Sequence, residues 1–275
     1  MLKHLIRFLK YYFRAKTIYD VHSPFVYEFA EQVVEDDRWY YAFDEIEVVR
    51  NYMLKDKRKI SIKDLGAGSQ VENKQERTIA SLAKHSANQP FVCQLLFKIV
   101  NLYKPLNMLE LGTSLGISTQ YQAAASLNGN MITIEGCPNT AHLAAGNFQL
   151  LKAENIKILK GNFDEKLSGV LNEIKKVDYV FFDGNHREKP TVSYFEKCLE
   201  YTHEESVFVF DDIHWSDGME AAWDTIKKHP RVKLTVDLFF FGVVFFRKEN
   251  KVKEHYTLIP WSWKPWRIGI GDFFK

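Results

Sequence analysis

The sequence is poor in cysteine, in net charge and in long apolar runs, and each shortage excludes a class of protein. Its three cysteines, Cys93, Cys137 and Cys198, are far apart and none belongs to a C-x-x-C pair. This argues against a disulfide framework or a zinc site, and it favours a reducing compartment, so we expect a cytoplasmic protein. The net charge of +2 is too small for nucleic-acid binding by bulk electrostatics. No run approaches the ~20 apolar residues that span a bilayer.

The first segment of the chain is predicted to form a basic amphipathic helix. Apolar residues of positions 2 to 13 recur at helical spacing, whereas the cations Lys3, Arg7, Lys10 and Arg14 fall on the other side. Charges interrupt the apolar residues and no small-residue cleavage site follows, so the segment is a poor signal peptide. Such a helix packs on its own domain or lies on a membrane surface, and we expect the first.

Short strands and helices alternate along the middle of the 275-residue chain. The strands are expected at Asn107–Leu111, Met131–Glu135, Ile156–Lys160, Asp178–Asp183 and Ser206–Asp211. This alternation predicts a parallel sheet with helices on both faces. The last two predicted strands, Val232–Leu238 and Phe240–Arg247, leave no room for a crossover and must be antiparallel. The predicted fold class is therefore α/β: a doubly wound, Rossmann-like sheet of seven strands, mostly parallel, with a C-terminal antiparallel hairpin.

Three regions are expected along the chain. Residues 1–85 form an N-terminal helical extension, in which Ser23-Pro24 begins a helix and the polar residues 71–85 are also helical. Residues 86–250 form the α/β domain, and the aromatic tail 251–275 packs on it. The aromatic termini suit either closure over a bound small molecule or a homodimer surface, and the sequence does not choose between them.

Two glycine-containing loops compete for the role of nucleotide site. The loop KDLGAGSQ at 63–70 has Gly66 and Gly68 but lacks the third glycine of the dinucleotide fingerprint. No second strand and no acidic residue follow it at the distance where a ribose would be held. The loop LELGTSLG at 109–116 follows a predicted strand, precedes a helix, and is succeeded by a strand that ends in Glu135. The second loop is therefore the better candidate.

The glycine spacing of the second loop also indicates the kind of nucleotide. In the dinucleotide fingerprint the second glycine lets the backbone approach a pyrophosphate, and Ser114 occupies that place here. A nucleoside cofactor without phosphates does not need this glycine, and S-adenosylmethionine is such a cofactor. The same mismatch disfavours an NAD-type oxidoreductase.

With these features in place, residues 86 to 247 resemble a class I S-adenosylmethionine-dependent methyltransferase. The resemblance is greatest to the small-molecule O-methyltransferases of the catechol type and to antibiotic-tailoring enzymes. It is carried by CQLLFKIVNLYKPLNMLELGTSLGIS, ITIEGCP, GNF, DYVFFDGNH and VFVFDDIHW. Residues 1–85, including the DLGAGS loop, lie outside it.

The resemblance implies a set of cofactor-binding residues. Glu110 and Gly112 would shape the methionine end of the cofactor, and Glu135 would hold both ribose hydroxyls by charge-assisted hydrogen bonds. The remaining members of the implied set are Thr113 and Ser114 in the loop, Asn162 and Phe163 against the adenine, and Asp183 beside the reacting end.

A divalent metal site is predicted from three carboxylates at the ends of two strands. Asp183 ends one strand, and Asp211 and Asp212 end the next. The three would repel one another unless a cation lay among them, and Mg²⁺ prefers such oxygen ligands. The resemblance supports this site, because metal-dependent relatives place an Asp, an Asp and an Asn or Asp at these positions. A metal-free site, with one Asp as a helix cap and another paired with a lysine, is the alternative.

His186 is the predicted general base. It lies three residues after Asp183, where catechol-type enzymes carry a lysine, and an imidazole is suited to proton abstraction at neutral pH. Its other roles would be a metal ligand or a surface residue, and His214 is a second candidate base. The departure from lysine leaves the acceptor open.

The leading hypothesis is metal-assisted O-methylation of a small hydroxylated molecule. A metal-free N-methyltransferase and a non-catalytic binding module are the alternatives.

Overall fold

A computed structural model describes residues 2–63 and 74–267, so the DLGAGS loop at 64–69 lies outside the described residues. The described part of the chain up to Tyr103 is largely helical. Its elements are α1 (Leu2–Arg14), a 3₁₀ turn (Ile18–Asp20), α2 (Pro24–Phe29) continued by a π-helical turn (Ala30–Val34), α3 (Tyr41–Lys55), β1 (Lys59–Lys63), β2 (Lys74–Thr78), α4 (Ile79–His85) and α5 (Pro90–Tyr103). None of the described helices is long and apolar enough to cross a membrane.

The rest of the chain alternates strands and helices as predicted. The elements are β3 (Asn107–Leu111), α6 (Ile117–Ala125), β4 (Asn130–Glu135), α7 (Pro138–Leu150), β5 (Ile156–Lys160), α8 (Phe163–Ile174), β6 (Val177–Phe182), α9 (Glu188–Leu199), β7 (Thr202–Asp211), α10 (Asp217–Lys228), β8 (Leu234–Asp237), β9 (Phe241–Phe245) and β10 (Glu254–Thr257). The main sheet has the order β10-β8-β9-β7-β6-β3-β4-β5.

The Rossmann-like α/β prediction is confirmed, with one additional strand. Strands β3 to β7 run parallel to one another, and β9 runs antiparallel to both β7 and β8. The eighth strand, β10, comes from the predicted aromatic tail and pairs in parallel with β8. It adds to the edge that the hairpin leaves open, which is one way to satisfy exposed strand hydrogen-bonding groups.

The expectation of helix throughout residues 71–85 was wrong at its start. Residues Lys74–Thr78 form β2, which pairs antiparallel with β1 in a separate two-stranded sheet. The helix begins only at Ile79, where the Thr78 hydroxyl accepts a hydrogen bond from the Ser81 amide at 3.1 Å and caps it. The charged residues of β2 are good helix formers in isolation, but strand pairing with β1 overrides that weak local preference.

Alternate residues of each strand point into two apolar layers, one on each face of the sheet. On β6, Tyr179 and Phe181 join one layer, and Val180 and Phe182 join the other. The first layer also contains Phe29 from the N-terminal region, so that region shares its core with the sheet. This packing on both faces leaves the ends of the parallel strands as the exposed place where side chains of several strands converge.

Candidate active site

The candidate site lies at the carboxyl ends of β3, β4, β6 and β7. These strands are parallel, and β3 lies between β4 and β6. Residues that immediately follow them therefore meet at one edge of the sheet, at the crevice where ligands of such folds bind. Gly112 and Asp183 directly follow β3 and β6, and Glu135 and Asp211 are the last residues of β4 and β7, so all four lie at this edge.

The loop after β3 depends on glycine at its first position. Gly112 has φ +109°, and a Cβ placed there would lie 2.1 Å from the backbone oxygen of Asp183. Ser114 and Gly116 also have positive φ, of 49° and 78°. The loop thus turns sharply between β3 and α6 and lies directly against the residue that follows β6.

The Glu135 side chain holds this loop through a backbone amide of the loop. One carboxylate oxygen accepts a hydrogen bond from the Ser114 amide at 2.7 Å, and the other accepts one from the Cys137 amide at 2.8 Å. Burial raises the pKa of Glu135, and these amide hydrogen bonds oppose the rise. The carboxylate is therefore placed beside the loop at the end of β4, where the sequence predicted a ribose contact.

Glu110 lies beneath the loop and is completely buried. Its carboxylate accepts hydrogen bonds from Ser118 at 3.0 Å, Gln122 at 2.9 Å and Thr133 at 2.7 Å, and from the Thr119 hydroxyl. Burial raises the pKa of Glu110 against these hydrogen bonds. These contacts tie β3, β4 and α6 together, so Glu110 stabilises the loop from below. The neighbouring Thr113 is buried as well, with its hydroxyl 2.6 Å from that of Thr133.

Asn162 and Phe163 lie at the start of α8, one strand further along the sheet. The Asn162 side-chain oxygen caps the helix by accepting a hydrogen bond from the Asp164 amide at 3.1 Å. The Phe163 ring lies against Gly184, where a Cβ would come within 2.7 Å of the ring, and makes an edge contact with Tyr194. Phe163 thus lies close to the loop after β6 that carries Asp183.

Asp183, His186 and Asp211 come together at the ends of β6 and β7. One potential ligand atom from each lies within 4.8 Å of the others, a spacing that suits a metal ion. Burial and the neighbouring Asp211 raise the pKa of Asp183. Burial and the charge of Asp212 raise the pKa of Asp211 to about 8. Two carboxyl groups are thus held close together, and ionisation of both is unfavourable unless a cation lies between them.

Asn88 is a member of this cluster that the sequence did not reveal. Its side-chain amide donates a hydrogen bond to Asp183 at 3.1 Å, and it also hydrogen-bonds Asp211. Asn88 lies just before α5, 95 residues before Asp183 along the chain. No motif marks it, because only the packing of α5 against the sheet brings it to the site.

Asp212 directly follows β7 and is hydrogen-bonded to the residue before β9. It has φ +55°, and its amide donates a hydrogen bond to the Phe240 carbonyl at 2.8 Å. It lies close enough to His186 to act on it electrostatically, but it is not among the three residues whose ligand atoms meet. Burial lowers the pKa of His186, against the charge of Asp212, so its imidazole is largely neutral at neutral pH.

The N-terminal helix reaches the outer side of the cluster. His4 contacts the rings of Trp215 at 5.9 Å and Phe239 at 5.2 Å between centroids, and its charge acts on Asp212. Helix α1 was predicted to pack on its own domain, and it does so next to Asp212. Lys189 is exposed at the start of α9.

His214 forms a bridge between two carboxylates. Its Nδ1 lies 3.0 Å from Glu220, and its Nε2 lies 2.9 Å from Asp237. Both ring nitrogens can donate only when the imidazole is protonated. Burial by itself lowers the pKa of His214, but the hydrogen bonds and charges of Asp237 and Glu220 outweigh it and raise the pKa. An imidazolium in this bridge is poorly suited to accept a proton.

This bridge predicts a loss of stability at alkaline pH. Because the folded-state pKa is raised, the bridge stabilises fully below the unfolded pKa of about 6.5 and less as pH rises through the folded value. We expect the melting temperature of the wild type to exceed that of His214→Gln at pH 6, and this difference to shrink towards pH 9. Thermal unfolding of both proteins across this range measures the effect. A difference that stays constant or widens with pH would contradict the bridge.

Comparison with known proteins agrees with this geometry. Residues 109–213 match a family model described as a methyltransferase domain. An O-methyltransferase from Bacillus cereus, solved in complex with SAH, is similar in structure with a TM-score of 0.55 and 20% identity, over 76% of this chain and 92% of that one. TomG of Streptomyces achromogenes, an O-methyltransferase involved in tomaymycin synthesis and solved with SAM, gives 0.52 and 18%, over 80% and 94%.

No curated protein matches the chain in sequence. At identities this low, the structural similarity establishes the fold, and the family match identifies the domain. Residues 109–213 are therefore a methyltransferase domain, set in the fold of the S-adenosylmethionine-dependent small-molecule O-methyltransferases.

Proposed function

We propose that the protein transfers the methyl group of S-adenosylmethionine to a hydroxyl oxygen of a small molecule, with the help of a divalent metal ion. The observation that carries this proposal is the meeting of Asp183, His186 and Asp211 within 4.8 Å, directly beside the glycine loop. A methyltransferase without metal would not need buried carboxyl groups in such proximity at the reacting end of its cofactor.

The donor set suits Mg²⁺ better than softer metals. Asp183 and Asp211 provide hard oxygen ligands, and Asp212, whose charge acts on Asp211, offers a third carboxylate next to them. No lysine or arginine within the described ranges forms an ion pair with any of these three carboxylates. When bound, the ion supplies Lewis acidity that lowers the pKa of an acceptor hydroxyl and fixes its orientation.

The cofactor would lie across the ends of β3 and β4. Glu135 would hold its ribose hydroxyls, and the loop from Gly112 to Ser114 would cradle its methionine end above the buried Glu110. Asn162 and Phe163 would contact the adenine from the start of α8. When bound, S-adenosylmethionine supplies an electrophilic methyl group, and the protein contributes chiefly by holding the acceptor in line with it.

His186 would take the proton from the acceptor hydroxyl. Its lowered pKa leaves the imidazole neutral and able to accept a proton at neutral pH. Its Nε2 lies 3.6 Å from an oxygen of Asp183, so the proton would arrive next to a carboxylate that stabilises the imidazolium. The acceptor would approach from the side of Asp212, where the exposed ring of Trp215 offers a surface for a flat molecule.

Calorimetric titration with S-adenosylmethionine, with and without Mg²⁺, is the first test of the cofactor site. We expect binding in the micromolar range, and we expect Glu135→Ala to weaken it by about tenfold or more, because charge-assisted hydrogen bonds contribute about 1.5–3 kcal/mol each. Glu173→Ala, which removes an exposed carboxylate on α8, is the matched control and should bind as the wild type does. Absence of binding to the wild type would rule out the methyltransferase reaction.

The reaction itself is tested with a panel of hydroxylated aromatic acceptors, by mass detection of a methylated product. Turnover that stops with a chelator and returns with Mg²⁺ supports the metal-assisted reaction. Methylation of amine acceptors that is insensitive to the chelator would instead identify a metal-free N-methyltransferase.

A further inference from the structure

The N-terminal helix α1 turns one apolar face to solvent and packs a mixed face, with Arg7, Phe8 and Tyr11, on the domain. Arg7 is only 9% exposed and Tyr11 6%, whereas Leu2 is 71% exposed and Phe13 74%. The exposed apolar residues lie on one face of the helix and form what we call the apolar stripe: Leu2, Leu5, Ile6, Leu9 and Phe13. A surface helix of a globular protein normally buries its apolar face. Folding of the described chain therefore leaves this stripe uncovered.

The orientation of α1 is fixed by specific contacts on its opposite face. Arg7 donates one hydrogen bond to Glu220 at 2.9 Å and another to the Trp215 carbonyl at 3.1 Å. Tyr11 donates to the Leu258 carbonyl, and the Phe8 ring meets Phe239 at 5.1 Å between centroids. Arg7 also donates a hydrogen bond to Asp217, so rotation of the helix to bury the stripe would remove a nearly buried arginine from three hydrogen bonds. Such a rotation is costly, because the Arg7 side chain is only 10% exposed and would lose its hydrogen-bond partners.

Cations border the apolar stripe, and the helix itself carries no acidic residue, although Lys3 and Arg7 pair with Asp217 and Glu220 of the domain. Positions 2 to 19 contain Lys3, Arg7, Lys10, Arg14 and Lys16, and the first acidic residue is Asp20. Lys10 and Arg14 lie next to the stripe, are exposed, and have no ion-pair partner in the part of the chain that the structure describes. This combination of an apolar face and a cationic border attracts an anionic surface.

Tryptophans extend the same surface beyond the helix. Tyr12 donates a hydrogen bond to the Trp263 carbonyl at 2.9 Å, and the Phe8 and Trp263 rings lie 6.2 Å apart between centroids. Trp263 is 43% exposed and Trp266 65%. Large amphipathic aromatic rings are enriched where proteins meet the boundary between lipid and water.

We infer that helix α1 docks the protein on the surface of an anionic lipid membrane, with the apolar stripe inserted between the headgroups and the cations beside them. The contact is peripheral, since no described helix could span a bilayer. A second copy of the chain is the less suitable occupant, because the helix offers no acidic residue to neutralise the cations of its partner. The docking surface is separate from the reaction proposed above and does not depend on it.

Co-sedimentation of the full chain with vesicles tests this inference. We expect the protein to bind phosphatidylcholine vesicles that contain about a third phosphatidylglycerol, to bind pure phosphatidylcholine much more weakly, and to be released by salt. Leu5→Ser/Leu9→Ser should lower partitioning by about tenfold or more. The matched control is Leu127→Ser/Leu150→Ser, two exposed leucines away from α1, which should bind as the wild type does.

The charge contribution has its own pair of variants. Lys10→Gln/Arg14→Gln should lower binding to the anionic vesicles by about tenfold, whereas Lys55→Gln/Lys57→Gln should not. All of these positions are exposed, so the substitutions should not change the melting temperature. Equal melting temperatures would confirm that each variant is folded. A wild type that stays in the supernatant with anionic vesicles would overturn the inference. Stripe variants that bind vesicles as the wild type does would also overturn it. A third contrary result would be a wild-type dimer that dissociates in the stripe variant, with no vesicle binding by either protein.

Discussion

Replacement of Asp211 by asparagine should lower kcat for methyl transfer by about 10²- to 10³-fold, which corresponds to the several kcal/mol that a bound metal ion contributes to catalysis. Asp211 is almost completely buried beside Asp183, and asparagine keeps its size while removing its charge. The side chain can still accept hydrogen bonds, so the loss would be one of metal affinity rather than of structure. Turnover measured at increasing Mg²⁺ concentrations shows whether more metal restores activity.

In the absence of metal, Asp211→Asn should make the folded protein less sensitive to a rise in pH. Burial and Asp212 raise the pKa of Asp211 to about 8, so the folded protein binds a proton there that the unfolded chain releases near pH 4. The stability of the metal-free wild type should therefore fall as pH rises from about 4 to 8, and that of Asp211→Asn should fall less. Added Mg²⁺ should raise the melting temperature of the wild type only. A variant that is both inactive and less stable at every pH would indicate a structural role.

His186→Gln is the informative companion to Asp211→Asn. If His186 is the general base, its loss should lower kcat while Mg²⁺ still raises the melting temperature. If His186 is a metal ligand, the variant should lose both responses, as Asp211→Asn does. The comparison separates two roles that its position, 3.6 Å from Asp183, allows equally.

Replacement of Gly112 by alanine should destabilise the protein by on the order of 3 kcal/mol and weaken S-adenosylmethionine binding severely. A Cβ at this position would lie 2.1 Å from the Asp183 carbonyl oxygen, and φ of +109° is strained for any other residue. The backbone must move to relieve the contact, and such a movement displaces both the loop and the residue after β6. Thermal unfolding and cofactor titration measure the two effects separately.

Gly146→Ala is the matched control, because no atom lies within 4 Å of a Cβ built at Gly146 on α7. Alanine in a helix is favoured over glycine by about 1 kcal/mol, so this variant should be slightly more stable and bind the cofactor normally. If Gly112→Ala behaved like Gly146→Ala, the close approach of the loop to β6 would not be needed for binding.

Much of the main sheet could be predicted from residue pattern alone. Each strand from β3 to β7 contains apolar residues at strand spacing or in a short run, and turn residues and a helix follow it, so the local signals agree with one another. The predicted bounds of β3 and β5 are those of the structure. The strand β2 could not be predicted in this way, because KQERT has no apolar alternation and is stabilised by its pairing with β1. The strand β10 likewise exists because β8 offers it an open edge.

The chain order of strands and loops determined by itself that Glu135, Asp183 and Asp211 would lie along one edge of the sheet, because the carboxyl ends of parallel strands share that edge. Only the tertiary structure decided the rest of the arrangement. It brought Asn88 to the two carboxylates and placed Glu110 beneath the loop, since packing between distant segments leaves no local pattern. It also decided which way α1 faces. The sequence fixes an amphipathic helix but not the side that the domain buries, and here Arg7 and Tyr11 find hydrogen-bond partners on the domain while the apolar stripe faces outward.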